Sequence, residues 1–254
     1  MSVFEDYATI YQAFYRDKDY ASEAAYVLDT LRQCGLAGHS LLELGCGQGG
    51  HALPFARLGC TITGVDRSAG MIARANEVSK SLSAEAAGAM LCMEGDARTV
   101  RLCCTFDAVV SLFHVISYMP GNEDVLAMLA TARAHLQPGG LFAFDYWSGP
   151  AVLQDPPVIR IRSVEHEGAT VTRLASPTLR PAENRVDVHY TFTVEQGILR
   201  HSFEEVHAMR YFFVPEWPHF ARQSGFEVIA NCEWLSPMSE LPRSWNAYCI
   251  LRAV

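Results

Sequence analysis

The chain predicts an α/β fold in which a mostly parallel sheet is wound with crossover helices and an antiparallel β-sheet is inserted late. Three observations predict it. Up to about Trp147, short apolar runs alternate with helical patterns; a glycine-rich turn follows the first run; and beyond Pro150 the segments become rich in β-branched and aromatic residues, separated by Gly, Pro or Asn. The 254 residues, half of them hydrophobic, suit one sizeable core carrying an elaboration.

Taken in order, Phe4, Tyr7, Tyr11, Phe14 and Tyr15 form an aromatic face on an N-terminal helix, and the first four are expected to pack on the core. Ala21, Ala24, Ala25, Leu28 and Leu31 recur at helical spacing, with Gly35 as the stop. Core strands are expected at Ser40–Leu44, Cys60–Val65, Ala89–Met93, Phe106–Leu112 and Leu141–Tyr146, with helices around Ala69–Lys80 and Glu123–Leu136. The inserted strands are expected at Val158–Val164, Thr170–Ala175, Arg185–Val194 and Leu199–Phe213. A helix over Pro215–Ser224, closed by Gly225, and strands near Phe226–Glu233 and Trp245–Arg252 finish the chain. The expected organisation is a core over 1–150, an inserted sheet over 151–213 and completion of the core over 214–254.

Composition narrows the function. The formal charge is −8 and there is no Lys/Arg run, so a nucleic acid would be repelled. No apolar stretch approaches the roughly 20 residues that span a bilayer, and the N-terminus has no apolar signal region. Eight cysteines without CxxC spacing read as reduced core thiols, hence a cytoplasmic chain. No cluster of His and carboxylates stands out as a metal site.

The strongest local signal runs from Leu41 to Gly50, where a buried strand enters the turn Gly45-Cys46-Gly47-Gln48-Gly49-Gly50. Glycines tolerate positive φ and carry no Cβ, so the backbone can lie against a ligand at the carboxyl edge of the sheet. About twenty residues on, Asp66 ends the second strand, where a carboxylate can hold both ribose hydroxyls. Up to this point NAD and an adenosyl ligand fit equally, and Asp66 as a helix cap is the plain structural alternative. Glu94-Gly95-Asp96 at the end of the third strand, Phe106-Asp107-Ala108-Val109 in the fourth and Leu136-Gln137-Pro138-Gly139-Gly140 before the fifth favour the adenosyl ligand.

With these five motifs in register, the chain resembles the class I S-adenosylmethionine-dependent methyltransferases. The resemblance implies a Rossmann-like, seven-stranded methyltransferase fold with S-adenosyl-L-methionine across its carboxyl edge. It also implies that Glu43, Gly45, Cys46 and Gly47 embrace the methionine part, with Arg16 and Tyr20 reaching its carboxylate from an N-terminal helical lid. Asp66 would hold the ribose, Arg67 and Met71 would flank the adenine, Asp96 and Ala97 would read its edge, and Leu112 and Phe113 would lie beside the sulfonium.

A finer resemblance is to N-methyltransferases of nucleotide-linked amino sugars. It is carried by Ala13-Phe14-Tyr15, Lys18-Asp19-Tyr20-Ala21, the Val109–Phe113 run ending in Tyr118, and Arg185-x-x-Val188-His189-Tyr190-Thr191. It implies a small-molecule acceptor, Tyr15 beside the sugar as an orienting hydroxyl, Arg185, His189 and Arg243 on the substrate side, and a homodimer. The residues themselves add His114, directly after the fourth strand, as a proton acceptor or a structural histidine. Asp145, Tyr146 and Trp147 leave the fifth strand at the same edge, as acceptor contacts or plain packing. His201, His207 and Arg210 share a strand on which ligand contact and sheet pairing are not separable. An O- or C-methyltransferase of another small molecule, or a non-catalytic adenosyl-binding protein, remains the alternative.

Overall fold

The structure is a computed structural model describing residues 5–82 and 89–254, with side chains described from Ile10 onward; Phe4 and the Tyr7 side chain lie outside the described residues. Helices α1 (Glu5–Tyr15) and α2 (Tyr20–Gln33) come first. The Asp19 carboxylate caps α2 by accepting the Ser22 N–H at 3.0 Å. There follow β1 (Ser40–Leu44), α3 (Ala52–Arg57), β2 (Thr61–Asp66), α4 (Ala69–Ser79), β3 (Met90–Glu94), β4 (Phe106–Ser111), α5 (Asn122–Ala134) and β5 (Leu136–Ser148). Beyond a short α6 (Gly149–Gln154) come β6 (Arg160–His166), β7 (Ala169–Arg180), β8 (Arg185–Gln196) and β9 (Leu199–Phe212). α7 (Trp217–Gln223), β10 (Phe226–Glu233) and β11 (Asn246–Ala253) close the chain.

Strands β1 to β5 are parallel in the order β3-β2-β1-β4-β5, and β11 pairs antiparallel with both β5 and β10. The reversal of strand order lies between β1 and β4, so their carboxyl ends open a crevice at the sheet edge. β1 is buried along most of its length because its alternate residues feed two cores. Leu42, Leu44, Val109 and Phe144 face α5 and α7, whereas Leu41, Ala108, Val110 and Ile62 face α2 and α3.

The expected elements recur within a residue or two, except in β7, which runs on to Arg180, five residues past the expected end at Ala175, and in β5. That strand begins at Leu136, and its register to β4 jumps from Phe106↔Leu136 to Ala108↔Leu141, so Pro138-Gly139-Gly140 bulges out of a longer strand. At its other end β5 runs on to Trp147 and Ser148, which pair with Tyr211 and Phe212 of β9. This short parallel junction attaches the antiparallel sheet β6–β9 to the core beside the crevice.

Helix α1 corrects one expectation. Phe14 does not pack on the core sheet; with Ile10 and Ala13 it joins Val164, Val171 and Phe192 of the inserted sheet. α1 also touches α4 of the core, and it therefore bridges the two parts over the crevice. The cysteines are all free, but Cys103 and Cys104 are exposed and are not core thiols. Among the described residues no helix is long and apolar enough to cross a membrane.

Candidate active site

A cavity of about 680 Å³ opens at the carboxyl ends of β1, β2 and β4 and continues beneath the inserted sheet. Its first half is built from the glycine turn. Gly45 and Gly47 have φ of +82° and +52°, and a Cβ on Gly45 would lie 2.5 Å from the Val115 methyls. An L side chain at Gly45 is thus opposed twice, by backbone conformation and by contact. At Gly47 a Cβ meets nothing within 4 Å, so there the main chain faces open space.

The turn is held from beside it. Gly47 N–H donates to Asp66 Oδ2 and Ser68 N–H donates to Asp66 Oδ1, both at 2.9 Å. Burial nevertheless pushes the Asp66 carboxyl above its ordinary value. Ser68 caps α4 through the Met71 N–H, so the capping role considered for Asp66 belongs to its neighbour. Asp96 is gripped by Arg98, whose guanidinium donates to both carboxylate oxygens and also to Asp124 at 2.8 Å. These bonds hold the Asp96 carboxyl below its usual range.

Below the turn lies Glu43, 1% exposed, with no hydrogen-bond partner for Oε2 among the described residues. Burial pushes its carboxyl well above the ordinary glutamate value. Its Oε1 is 3.8 Å from His51 Nδ1; His51 Nε2 is 2.7 Å from Glu23 Oε2, and Glu23 also accepts from Lys18. This chain of polar contacts ties β1 to the start of α2. Tyr20 stands edge-on to His51 and covers Gly50, whose Cβ would come within 2.7 Å of the Tyr20 ring.

The second half of the cavity is aromatic. Phe113 and His114 both adopt left-handed backbone, φ +64° and +62°, which costs of order 1–3 kcal/mol per residue. Asp145, 2% exposed, offsets that strain by accepting the His114 N–H at 3.1 Å. The same carboxylate lies 2.8 Å from His114 Nδ1, close enough for an ion pair but without hydrogen-bond geometry. Burial raises the Asp145 carboxyl, yet the His114 ring and N–H outweigh burial and hold it below the usual range. Phe113 meets the Tyr15 ring edge-on at 5.1 Å, and Tyr15 Oη accepts from Arg173 at 3.1 Å. Trp147 packs against Trp245 and forms another wall.

Of the residues singled out from sequence, the cavity is lined by Tyr15, Arg16, Tyr20, Gly45, Cys46, Gly47, Asp66, Arg67, Met71, Asp96, Ala97, Leu112, Phe113, His114 and Trp147. Glu43 and Asp145 sit immediately behind it. Tyr146 does not reach it. In β5 successive side chains alternate, so Tyr146 points to the opposite core, packs on Trp217 and donates to Asn231 at 2.7 Å. Arg185 and His189 also lie outside the lining: Arg185 pairs with Asp187 and Glu183, and His189 is exposed. The opposite face of β8 supplies Tyr190 instead. Arg243 is exposed in the loop before β11 and is not part of the lining. Sequence reasoning missed His51 and Arg98, quoted Tyr118 and Tyr190 only within the family resemblance, and left His207 undecided between ligand contact and sheet pairing. Only His51, directly after the glycine turn, and Tyr118, at the end of the run after β4, carried a positional signal.

Residues 41–140 match a family described as a methyltransferase domain. Over 225 residues, 88% of this chain and 91% of the relative, the sequence is 30% identical to dTDP-3-amino-3,4,6-trideoxy-alpha-D-glucopyranose N,N-dimethyltransferase of Streptomyces venezuelae. The chain belongs to this family of S-adenosylmethionine-dependent methyltransferases. The methyltransferase is also 28% identical to dTDP-3-amino-3,6-dideoxy-alpha-D-glucopyranose N,N-dimethyltransferase of Streptomyces fradiae, over 89% of this chain and 84% of that one. Its fold matches the crystal structure of DesVI from Streptomyces venezuelae with a TM-score of 0.78 and 27% identity, over 98% of this chain and 99% of the other. It also matches an amino pentose methyltransferase of Micromonospora echinaspora, solved with S-adenosylmethionine bound, with a TM-score of 0.74 and 26% identity over 96% and 97% of the chains. The fold is therefore the Rossmann-like methyltransferase fold, and the cofactor is S-adenosyl-L-methionine. The glycine turn fits that cofactor on its own terms, with open main chain at Gly47 and, beneath it, a buried Glu43 oxygen that has no partner among the described residues.

Proposed function

We propose that this methyltransferase transfers a methyl group to the nitrogen of an amino sugar carried on a nucleotide. The observation that carries the reading is similarity along nearly the whole chain, inserted sheet included, to three enzymes named as dTDP-amino-sugar N,N-dimethyltransferases. The aromatic half of the cavity supports it, since ring faces suit a deoxysugar and two histidine–carboxylate pairs suit an amine that must lose a proton.

Bound S-adenosylmethionine supplies a methyl group already activated by sulfonium, so alignment and exclusion of water are what remain for the protein. Gly45, Cys46, Gly47 and Glu43 would hold the methionine part, with Arg16 and Tyr20 at its carboxylate. Asp66 would take the ribose hydroxyls, Arg67 and Met71 the adenine faces, and Asp96 with Ala97 the adenine edge. Leu112 and Phe113 would exclude water beside the methyl group. On the acceptor side, Tyr15 would orient the amine and His114, steadied by Asp145, would take a hydrogen bond or a proton from it, with Trp147 covering the sugar.

We also propose a cytoplasmic homodimer. The edge strand β6 leaves Ile161 71% exposed, with Ile159 beside it at 67%, and such an edge invites pairing. A single species near 28.1 kDa in sedimentation velocity would remove the dimer. The acceptor is tested by S-adenosylhomocysteine release with dTDP-linked amino sugars, using the matching hydroxy sugars as controls. Release with the hydroxy sugars alone would overturn N-methylation.

A further inference from the structure

Tyr118, which follows β4 in the short helix Val115–Tyr118, lines the cavity and hydrogen-bonds His207 Nδ1 at 2.7 Å. On β9, His207 Nε2 in turn lies 3.0 Å from Glu205 Oε2. His207 and Glu205 are 3% and 7% exposed, two residues apart on one face of the strand. A carboxylate only accepts, so Nε2 carries the hydrogen, and in the neutral imidazole Nδ1 is left as the acceptor for the Tyr118 hydroxyl. The Tyr118 oxygen is thereby set to accept a hydrogen from a group held in the cavity. The order of parts is that of a hydroxyl, an imidazole and an orienting carboxylate.

We infer that Tyr118, His207 and Glu205 form a proton relay that takes a proton from the acceptor ammonium, with its receiving base on β9 rather than at His114. The inference rests on the amine reading above. In the step, one N–H bond of the ammonium breaks and an O–H bond forms on Tyr118, while the original phenolic hydrogen passes to His207 Nδ1. The nitrogen keeps the electron pair, and the imidazolium charge faces Glu205. The pair then forms the C–N bond as the S–C bond breaks, sulfur taking those electrons; His207 returns its proton through Tyr118 to water when product leaves. Burial holds the Tyr118 phenol well above the ordinary tyrosine value, so the phenol works as a conduit with His207 as the receiving base. Among the described residues, titratable groups facing the pair include Tyr190 from β8, whose ring centroid is 4.9 Å from that of His207, and Tyr15 from α1, with Asp66 acting on Tyr118. Tyr118 is the catalytic residue here; His207 and Glu205 act through it.

Two measurements test the relay. With a dTDP-linked 3-amino-3,6-dideoxyhexose, Tyr118→Phe and His207→Gln are expected to lower kcat about 100-fold at pH 7 with KM within about threefold. The deficit should shrink to a few-fold at pH 9.5, above an amine pKa of about 8, where the acceptor arrives already deprotonated. Glu205→Gln should show the same trend at about a tenth of the size. S-adenosylmethionine affinity, unchanged in each variant, reports intact folding. A deficit equal at both pH values, or carried entirely by KM, would show a merely structural network and overturn the relay. Independently of the acceptor, ¹⁵N shifts of His207 in the wild-type protein at pH 8 are expected to report hydrogen on Nε2; hydrogen on Nδ1 overturns the relay by itself. Wild-type enzyme inactive with every amino sugar would remove the acceptor assignment and leave that tautomer to decide the relay.

Discussion

The Asp66 carboxylate at the end of β2 accepts the Gly47 N–H at 2.9 Å, so one side chain fixes the bend that follows the neighbouring strand. Its second oxygen holds the Ser68 N–H and sets the entry to α4. The group expected to bind ribose thus also shapes the turn expected to bind methionine. Asp66→Ala removes both acceptors, each worth about 1.5–3 kcal/mol when charged. Cofactor affinity measured by calorimetry should fall at least 100-fold; normal binding would refute the ribose assignment.

Glu43 gives a pH signature. Its carboxyl is raised in the folded protein, so the native state holds a proton that the unfolded chain releases from about pH 4.5 upward. Stability of the ligand-free protein should therefore decline as pH rises from that value through the folded one. Glu43→Gln, which cannot ionise, should flatten this decline in a series of melting curves and weaken cofactor binding. A variant that melts in parallel with wild type from pH 5 to 9 would exclude the effect.

Tyr15→Phe tests the acceptor side. The lost hydroxyl accepts from Arg173, whose guanidinium also lies over the Phe14 ring at 4.6 Å and therefore keeps a partner. Cofactor affinity should stay within twofold while kcat falls about tenfold, consistent with one lost hydrogen bond. Equal loss of both would place Tyr15 with the cofactor.

Arg185 and His189 supply the opposite test. Since β8 turns Tyr190 toward the cavity and these two away, Arg185→Ala and His189→Ala should leave acceptor KM within twofold. Arg185→Ala should still lower stability, by about 1 kcal/mol in urea titration, because Asp187 loses a bonded guanidinium while Arg180 remains. A tenfold rise in KM would return Arg185 to the substrate.

Residue order alone determined the parallel core, the glycine turn at Gly45–Gly50, the acids Asp66 and Asp96 and the inserted sheet, because local periodicity and backbone-permissive residues act over a few positions. Those features lie at strand ends, where the chain direction already says which edge they occupy. Tertiary structure decided the face. A one-residue step along β5 sends Tyr146 into the far core while Trp147 lines the cavity, and the pairing of β8 with β9 brings His207 inward and leaves His189 outside. Alternation names two faces without saying which is covered; only the junction of β5 with β9 and the bridging of α1 settle that. The contacts among Tyr118, His207 and Glu205 span 89 and 2 residues, and the longer of these separations leaves no local pattern to read.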